Sequence, residues 1–247
     1  MSGHNRWTKI KHKKEAMGAT KGAAFTKISR ELTVSARIGG GDPDNNFRLR
    51  AAIDAARAVN MPGDTLQRAI KKGTGELEGV AYEELRYEGY GPSGIAVIVE
   101  CVTDNKNRTA SEIRSLFSKG GGNLGESGSV NFLFDRKGVV EVKAGPSEDQ
   151  VMEAALEAGA EDVVDAGEDG FEVRCDTGAT FQVAEALSKK GFKLGETKVR
   201  FLPLNTIALD AEATHKALRL LNNLEDCDDV QSVYSNADFD EAALDEE

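Results

Sequence analysis

Near the N-terminus, Arg6-Trp7-Thr8-Lys9-Ile10-Lys11-His12-Lys13-Lys14 sets one aromatic ring and one imidazole among five cations. Lysine and arginine neutralise phosphates and release their counterions. Trp7 is the only tryptophan of the chain, and a ring of this kind can stack on an exposed base, worth roughly 1–3 kcal/mol in single-stranded sites. Cations interleaved with an aromatic therefore point to nucleic-acid binding. Further cations recur at helical spacing. Over 25–38, Phe25, Ile28 and Leu32 fall on one side of a helix while Lys27, Arg30 and Arg37 fall on the other. Lys71 and Lys72 close a later helix, where they also complement its dipole. With Lys21, these residues make the expected phosphate-contacting set: Arg6, Trp7, Lys9, Lys11, His12, Lys13, Lys14, Lys21, Lys27, Arg30, Arg37, Lys71 and Lys72.

Other motifs match catalytic patterns only in their letters. Gly89-Tyr90-Gly91-Pro92-Ser93-Gly94 fits GxGxxG, but Ile95-Ala96-Val97-Ile98-Val99 follows. A dinucleotide site needs a helix there, so the expectation is a hairpin turn. Gly120-Gly121-Gly122-Asn123-Leu124-Gly125-Glu126-Ser127 resembles a P-loop with Glu126 in place of the lysine. A carboxylate repels the phosphates that the lysine would reach, which argues against nucleotide hydrolysis. His4, His12 and His215 form no zinc motif, and Cys101, Cys175 and Cys227 form no CxxC. No enzyme constellation, metal site or cofactor is expected. The cysteines read as core residues of a reducing compartment.

The elements that must position the cations read as follows. Residues 1–14 form a basic arm. Helices are expected over 25–38, 45–59 and 64–72, separated by Gly39-Gly40-Gly41-Asp42-Pro43 and Asn60-Met61-Pro62. The last two resemble a helix-turn-helix pair, a weak signal on its own. Strands follow at 82–90, 95–103 and 130–134, with a helix at 108–119. Residues 138–202 then read βαββαβ, the order of a ferredoxin-like fold, and 203–235 return to complete the first sheet. The expected class is α+β: a three-helix domain followed by two ferredoxin-like α/β domains, the last inserted in the middle one. The bounds are 1–75, then 76–135 with 203–247, and 136–202.

Charge divides along the same line. Residues 1–75 hold fifteen basic and six acidic residues, a net +9, against sixteen and thirty-six in the remainder, a net −20. A basic head attracts phosphate, and an acidic body discourages indiscriminate wrapping. No apolar run suits a membrane helix and no targeting segment is evident, so a soluble cytoplasmic protein without membrane or small-molecule partners is expected.

These residues also carry a resemblance. Met1-Ser2-Gly3-His4-Asn5-Arg6-Trp7, Ile10-Lys11-His12-Lys13-Lys14, Phe25-Thr26-Lys27 and Arg30-Glu31-Leu32-Thr33-Val34 look like the opening of the YebC/PmpR family. Gly39-Gly40-Gly41-Asp42-Pro43, Asn60-Met61-Pro62, Arg68-Ala69-Ile70-Lys71, Tyr87-Glu88-Gly89-Tyr90-Gly91-Pro92, Thr103-Asp104-Asn105, Asn107-Arg108-Thr109 and Phe132 continue it over essentially the whole chain. The resemblance implies a helical domain and two α/β domains, one inserted in the other, and a role in gene expression without catalytic residues. Members are usually described as DNA-binding transcriptional regulators. A mitochondrial relative is described as a translational activator, and bacterial members have been linked to stalled ribosomes. The sequence departs from many members at 17–23, where Lys21 is the only charge. Two partners stay open: duplex DNA, or ribosomal RNA within the ribosome, for which a short arm with one aromatic is well suited.

Overall fold

The computed structural model describes residues 21–244. Three helices come first: α1 (Lys21–Gly39), α2 (Phe47–Ala58) and α3 (Gly63–Thr74). Their apolar stripes meet in one core, with Leu32 and Ala36 of α1, Leu49, Ile53 and Ala56 of α2, and Leu66 and Ile70 of α3. Asn46 joins the first two helices. Its Oδ1 accepts from the Leu49 amide as the N-cap of α2, while its Nδ2 donates to the carbonyls of Ser35 and Gly40. Gly73 sets how closely α3 packs on α1. A β-carbon there would lie 2.3 Å from the Thr33 carbonyl oxygen and 2.8 Å from the Ala36 β-carbon.

The same compact unit contains a four-stranded sheet. Its first three strands are β1 (Glu83–Tyr90), β2 (Ala96–Thr103) and β3 (Asn123–Leu124), with α4 (Lys106–Lys119) between the last two. The turn at Pro92–Gly94 that joins β1 and β2 is the GxGxxG segment, a hairpin connection as expected. Residues 134–204 leave this unit, and the chain returns to add β9 (Val230–Ser235). The order is β3-β1-β2-β9 with antiparallel neighbours. The α/β character is as expected, but the connectivity is not that of a simple βαββαβ unit, since β1 and β2 form a direct hairpin.

The second unit holds β4 (Phe134–Lys143), α5 (Glu148–Glu157), β5 (Asp162–Asp165), β6 (Gly170–Cys175), α6 (Thr180–Lys189) and β7 (Leu194–Pro203). Its sheet order β5-β6-β4-β7, all antiparallel, is that of a ferredoxin-like βαββαβ fold. Val139, Val140, Val142, Val151, Val173, Val183 and Leu187 are fully buried. Arg200, nearly buried, is held by Glu141, Glu172 and Glu196. Beyond this unit come β8 (Ile207–Ala208), α7 (Ala211–Glu225), β9, β10 (Ala237–Asp238) and α8 (Glu241–Leu244). β8 does not join the larger sheet; it pairs in parallel with β10. Leu218, Leu220, Leu221 and Leu224 of α7 pack with Ile113 and Phe117 of α4 beneath β1 and β2.

Two strand expectations change. Asp135-Arg136-Lys137, which falls between the strands expected at 130–134 and from 138, is itself strand, because β4 runs unbroken from Phe134 and pairs these residues with Leu202, Phe201 and Arg200. Residues 130–133 are a turn rather than strand. The buried Glu88 carboxylate accepts the amides of Val130 and Asn131 and pulls that backbone out of extended form.

Candidate nucleic-acid interface

Seven of the expected contact residues, Arg6, Trp7, Lys9, Lys11, His12, Lys13 and Lys14, lie outside the described residues. Lys21 is the first residue of α1.

Lys27 and Arg30 face inward. The Lys27 ammonium donates to the Glu225 carbonyl at the end of α7. One Arg30 nitrogen donates to the carbonyls of Val102, at 3.2 Å, and Asp228, at 2.6 Å, and to Asp229 Oδ1 at 2.6 Å. The Arg30 guanidinium also lies 5.6 Å from the centre of the Tyr82 ring. The carbonyls of Glu225 and Asp228 lie at the C-terminal end of α7, where unpaired acceptors and the helix dipole favour a cation. Asp229 is almost fully buried and also accepts from Arg108, Thr103 and Thr109. Burial alone would raise the pKa of its carboxyl. The hydrogen bonds from Thr109, Arg108 and Arg30 outweigh that and hold it below the ordinary carboxylate value. These side chains fasten α1 to the sheet that carries β2 and β9. Helix α1 is accordingly a central helix. Leu32, Thr33, Val34, Ser35 and Ala36 are all buried, which no surface helix with one apolar stripe would show.

Arg37, Lys71 and Lys72 are exposed. Gly73 packs against Thr33 and Ala36, so the C-terminal ends of α1 and α3 come together. Arg37 follows Ala36 in the chain and Lys72 precedes Gly73. Arg68, one turn before Lys71 and Lys72, is exposed on the same helix and extends this row. It is not among the residues expected from the sequence, yet its i, i+3 and i, i+4 spacing to the two lysines is a readable signal. Among the described residues, the side chains of Arg37, Arg68, Lys71 and Lys72 make no hydrogen bond or ion pair. The other helical-domain arginines are engaged. Arg48 binds Glu31 and Glu84, Arg50 binds the carbonyls of Pro43 and Asp44, and Arg57 lies 3.2 Å from Asp54.

The outer face of α3 carries Asp64, Gln67, Arg68 and Lys71, while Leu66, Ala69 and Ile70 are buried. The connection from α2 is short, Val59 to Pro62, and is pinned by the Met61 amide donating to the Ala56 carbonyl. Asn60 takes a left-handed conformation there, φ 58°, which asparagine tolerates better than most residues. The result is a helix whose apolar side is anchored and whose outward side offers guanidinium, ammonium and amide donors. Such a face can bind phosphate oxygens or base edges. No helix among the described residues is long and apolar enough to cross a membrane.

The three-helix head and two four-stranded antiparallel sheets place the chain in a class of α+β proteins built from a helical domain and a split α/β body. Residues 5–76 match the TACO1/YebC N-terminal domain, residues 82–237 match the TACO1/YebC second and third domain, and the chain belongs to this family. A relative from Myxococcus xanthus, described as a probable transcriptional regulatory protein, is 56% identical over 245 residues, covering 99% of this chain and 98% of its own. A Geobacter sulfurreducens relative of the same description is 53% identical over 239 residues, 97% of this chain and 96% of its own. The crystal structure of a conserved hypothetical protein from Aquifex aeolicus is similar with a TM-score of 0.82 at 46% identity, over 90% of this chain and 92% of that one.

Proposed function

We propose that the chain is a cytoplasmic regulator of gene expression that binds nucleic acid and carries out no chemical step, with duplex DNA as its target. One observation carries this reading. Arg37, Arg68, Lys71 and Lys72 stand without side-chain partners among the described residues, in a domain of net +9 on a chain whose remainder is −20. Such cations are available to neutralise phosphates. The outward face of α3, behind a short turn from α2, is suited to a groove. The names of the Myxococcus and Geobacter relatives agree with a transcriptional role. The Arg6–Lys14 arm adds contacts along the backbone, and Lys27 and Arg30 hold the domain in place.

A second reading, a ribosome-associated translation factor, is favoured by Trp7 standing among the cations of the arm. Unpaired bases in ribosomal RNA accept aromatic stacking, whereas bases in a duplex do not. The two are separated by binding the intact protein, at matched physiological salt, to duplex DNA and to purified ribosomes, beside a Lys9/Lys11/Lys13/Lys14→Ala variant. Sequence-selective DNA binding without ribosome affinity supports the transcriptional reading. Tight ribosome binding that the variant loses, with weak DNA binding, replaces it by the translational one. No binding to either overturns both.

A further inference from the structure

Helix α4 is the one described helix beyond residue 76 with more bases than acids: Lys106, Arg108, Arg114 and Lys119 against Glu112. By comparison, α5 carries Glu148, Asp149, Glu153 and Glu157 without a base, and α6 and α7 each balance. Thr109, Ile113 and Phe117 of α4 are fully buried and face the core. Asn107, Ser111, Arg114 and Ser118, three or four residues apart, form an exposed stripe away from it, and the exposed Lys106 opens that side of the helix. Among the described residues, the side chains of Lys106 and Arg114 make no hydrogen bond or ion pair. Arg108 and Glu112 lie on the other flank, where Arg108 is held by Asp104 and Asp229.

Tyr87 of β1 borders the same side of α4. Its hydroxyl donates to the Lys106 carbonyl at 3.4 Å, and its ring packs against the core that holds Ile113 and Phe117. Burial pushes the Tyr87 phenol up, and the positive charge of Arg114 acts against that rise, which puts the guanidinium within electrostatic reach of the phenol. A tyrosine, a lysine and an arginine are thus brought to one side of α4, beside Asn107 and Ser111.

The position of Lys106 is unfavourable for the helix alone. Asn105 caps α4 by accepting the Arg108 amide, so the amides of Lys106 and Asn107 are left without an intrahelical acceptor. No acid stands in this first turn, whereas α5 opens with Glu148 and Asp149 and α7 with Glu212. A cation there opposes the positive end of the helix dipole. Local rules are broken in this way at positions that serve function. A bound anion satisfies the free amides, the dipole and both cations together. Lysine, arginine, asparagine, serine and tyrosine side chains beside a helix N-terminus are the donors that contact phosphate oxygens of nucleic acid.

We propose that this side of α4, with Lys106 and Arg114 as its cations and Asn107 and Ser111 as neutral donors, is a second backbone contact for nucleic acid that holds phosphates without reading sequence. The inference rests on the reading that the chain binds nucleic acid, and extends the contact from the helical domain into the acidic body. Asp229, which accepts from both Arg30 of α1 and Arg108 of α4, ties the two surfaces into one unit.

The test is the salt dependence of binding of the full chain to labelled duplex DNA and duplex RNA. Wild type is compared with Lys106/Arg114→Gln, with Asn107/Ser111→Ala, and with Lys189/Lys216→Gln, which removes two exposed lysines from other helices of the body. For Lys106/Arg114→Gln the slope of log affinity against log salt should be shallower by roughly 1–2. Asn107/Ser111→Ala should bind about 2- to 10-fold more weakly at every salt concentration with the slope kept, since its lost donors are uncharged. The duplex on which these losses appear identifies the nucleic acid, and Lys189/Lys216→Gln should behave as wild type. Unchanged slope and affinity for Lys106/Arg114→Gln, while Arg37/Arg68/Lys71/Lys72→Ala loses affinity, overturn the α4 contact and leave the nucleic-acid reading standing. Equal losses in Lys106/Arg114→Gln and Lys189/Lys216→Gln make the effect one of net charge and also overturn the proposal. Wild-type protein that binds neither duplex overturns the proposal together with the reading it rests on. All variants should keep the wild-type melting temperature or exceed it, since Lys106→Gln removes a cation from the positive end of a helix.

Discussion

Asp229→Ala should release the three-helix domain from the sheet it is fastened to. The carboxylate is almost fully buried and accepts from Arg30 at 2.6 Å, Thr109 at 2.6 Å, Arg108 at 3.0 Å and Thr103 at 3.1 Å. Removing it leaves the largely buried Arg30 guanidinium without its counter-charge, a change that typically costs about 3–5 kcal/mol. The assay is native-state hydrogen exchange, read separately for α1 and for the 134–204 unit, since a chain of several units need not unfold in one step. Opening of α1 should become more frequent by roughly 10²–10⁴-fold, with exchange in the 134–204 unit unchanged. The acid dependence carries a sign. The carboxyl pKa is lowered in the fold, so the stability it contributes is present above its ordinary value of 3.8 and is lost as pH falls through the lower folded value. Asp229→Asn should lack that acid step. Exchange in α1 of Asp229→Ala within about 0.5 kcal/mol of wild type would refute the reasoning, because surface changes commonly have effects that small.

Three further outcomes follow from packing and charge. Cys101, Cys175 and Cys227 are buried, and burial pushes each thiol upward; all three should resist alkylation at mildly alkaline pH and react together once denatured, as followed by mass spectrometry. Gly73→Ala improves helix propensity but places a β-carbon 2.3 Å from the Thr33 carbonyl oxygen; thermal melting should show destabilisation of about 1–3 kcal/mol, the opposite sign to propensity. Arg200→Met leaves Glu141, Glu172 and Glu196 facing one another around a nearly buried position; urea unfolding should show a loss of about 3–5 kcal/mol confined to the 134–204 unit.

The helices are legible in the sequence because their apolar residues recur at helical spacing and their ends carry glycine, asparagine and proline. The βαββαβ order of 138–202 is legible from alternating patterns, and the GxGxxG turn from the strand that follows it. The orientation of α1 is not. Lys27, Arg30 and Arg37 share one stripe, and periodicity cannot tell a solvated stripe from one that meets buried carbonyls and Asp229 some two hundred residues away in the chain. Burial on both sides at 32–36 is a tertiary fact, and only Arg37, beyond that stretch, emerges. The turn at 131–133 is hidden for the same reason, since Glu88, which bends it, lies more than forty residues earlier. Arg68 is absent from the expected set, although its spacing to Lys71 and Lys72 marks it as their neighbour.

The central claim is that the exposed cations at the ends of α1 and α3 bind phosphate while the inward ones do not. The direct measurement is the salt dependence of duplex DNA affinity for wild type and for Arg37/Arg68/Lys71/Lys72→Ala. Each phosphate no longer neutralised should reduce the slope of log affinity against log salt by about 0.9, so the variant should show a slope shallower by roughly 2–4 with its melting curve retained. An unchanged slope and affinity would contradict the account, leaving these side chains as solvated partners of two helix dipoles.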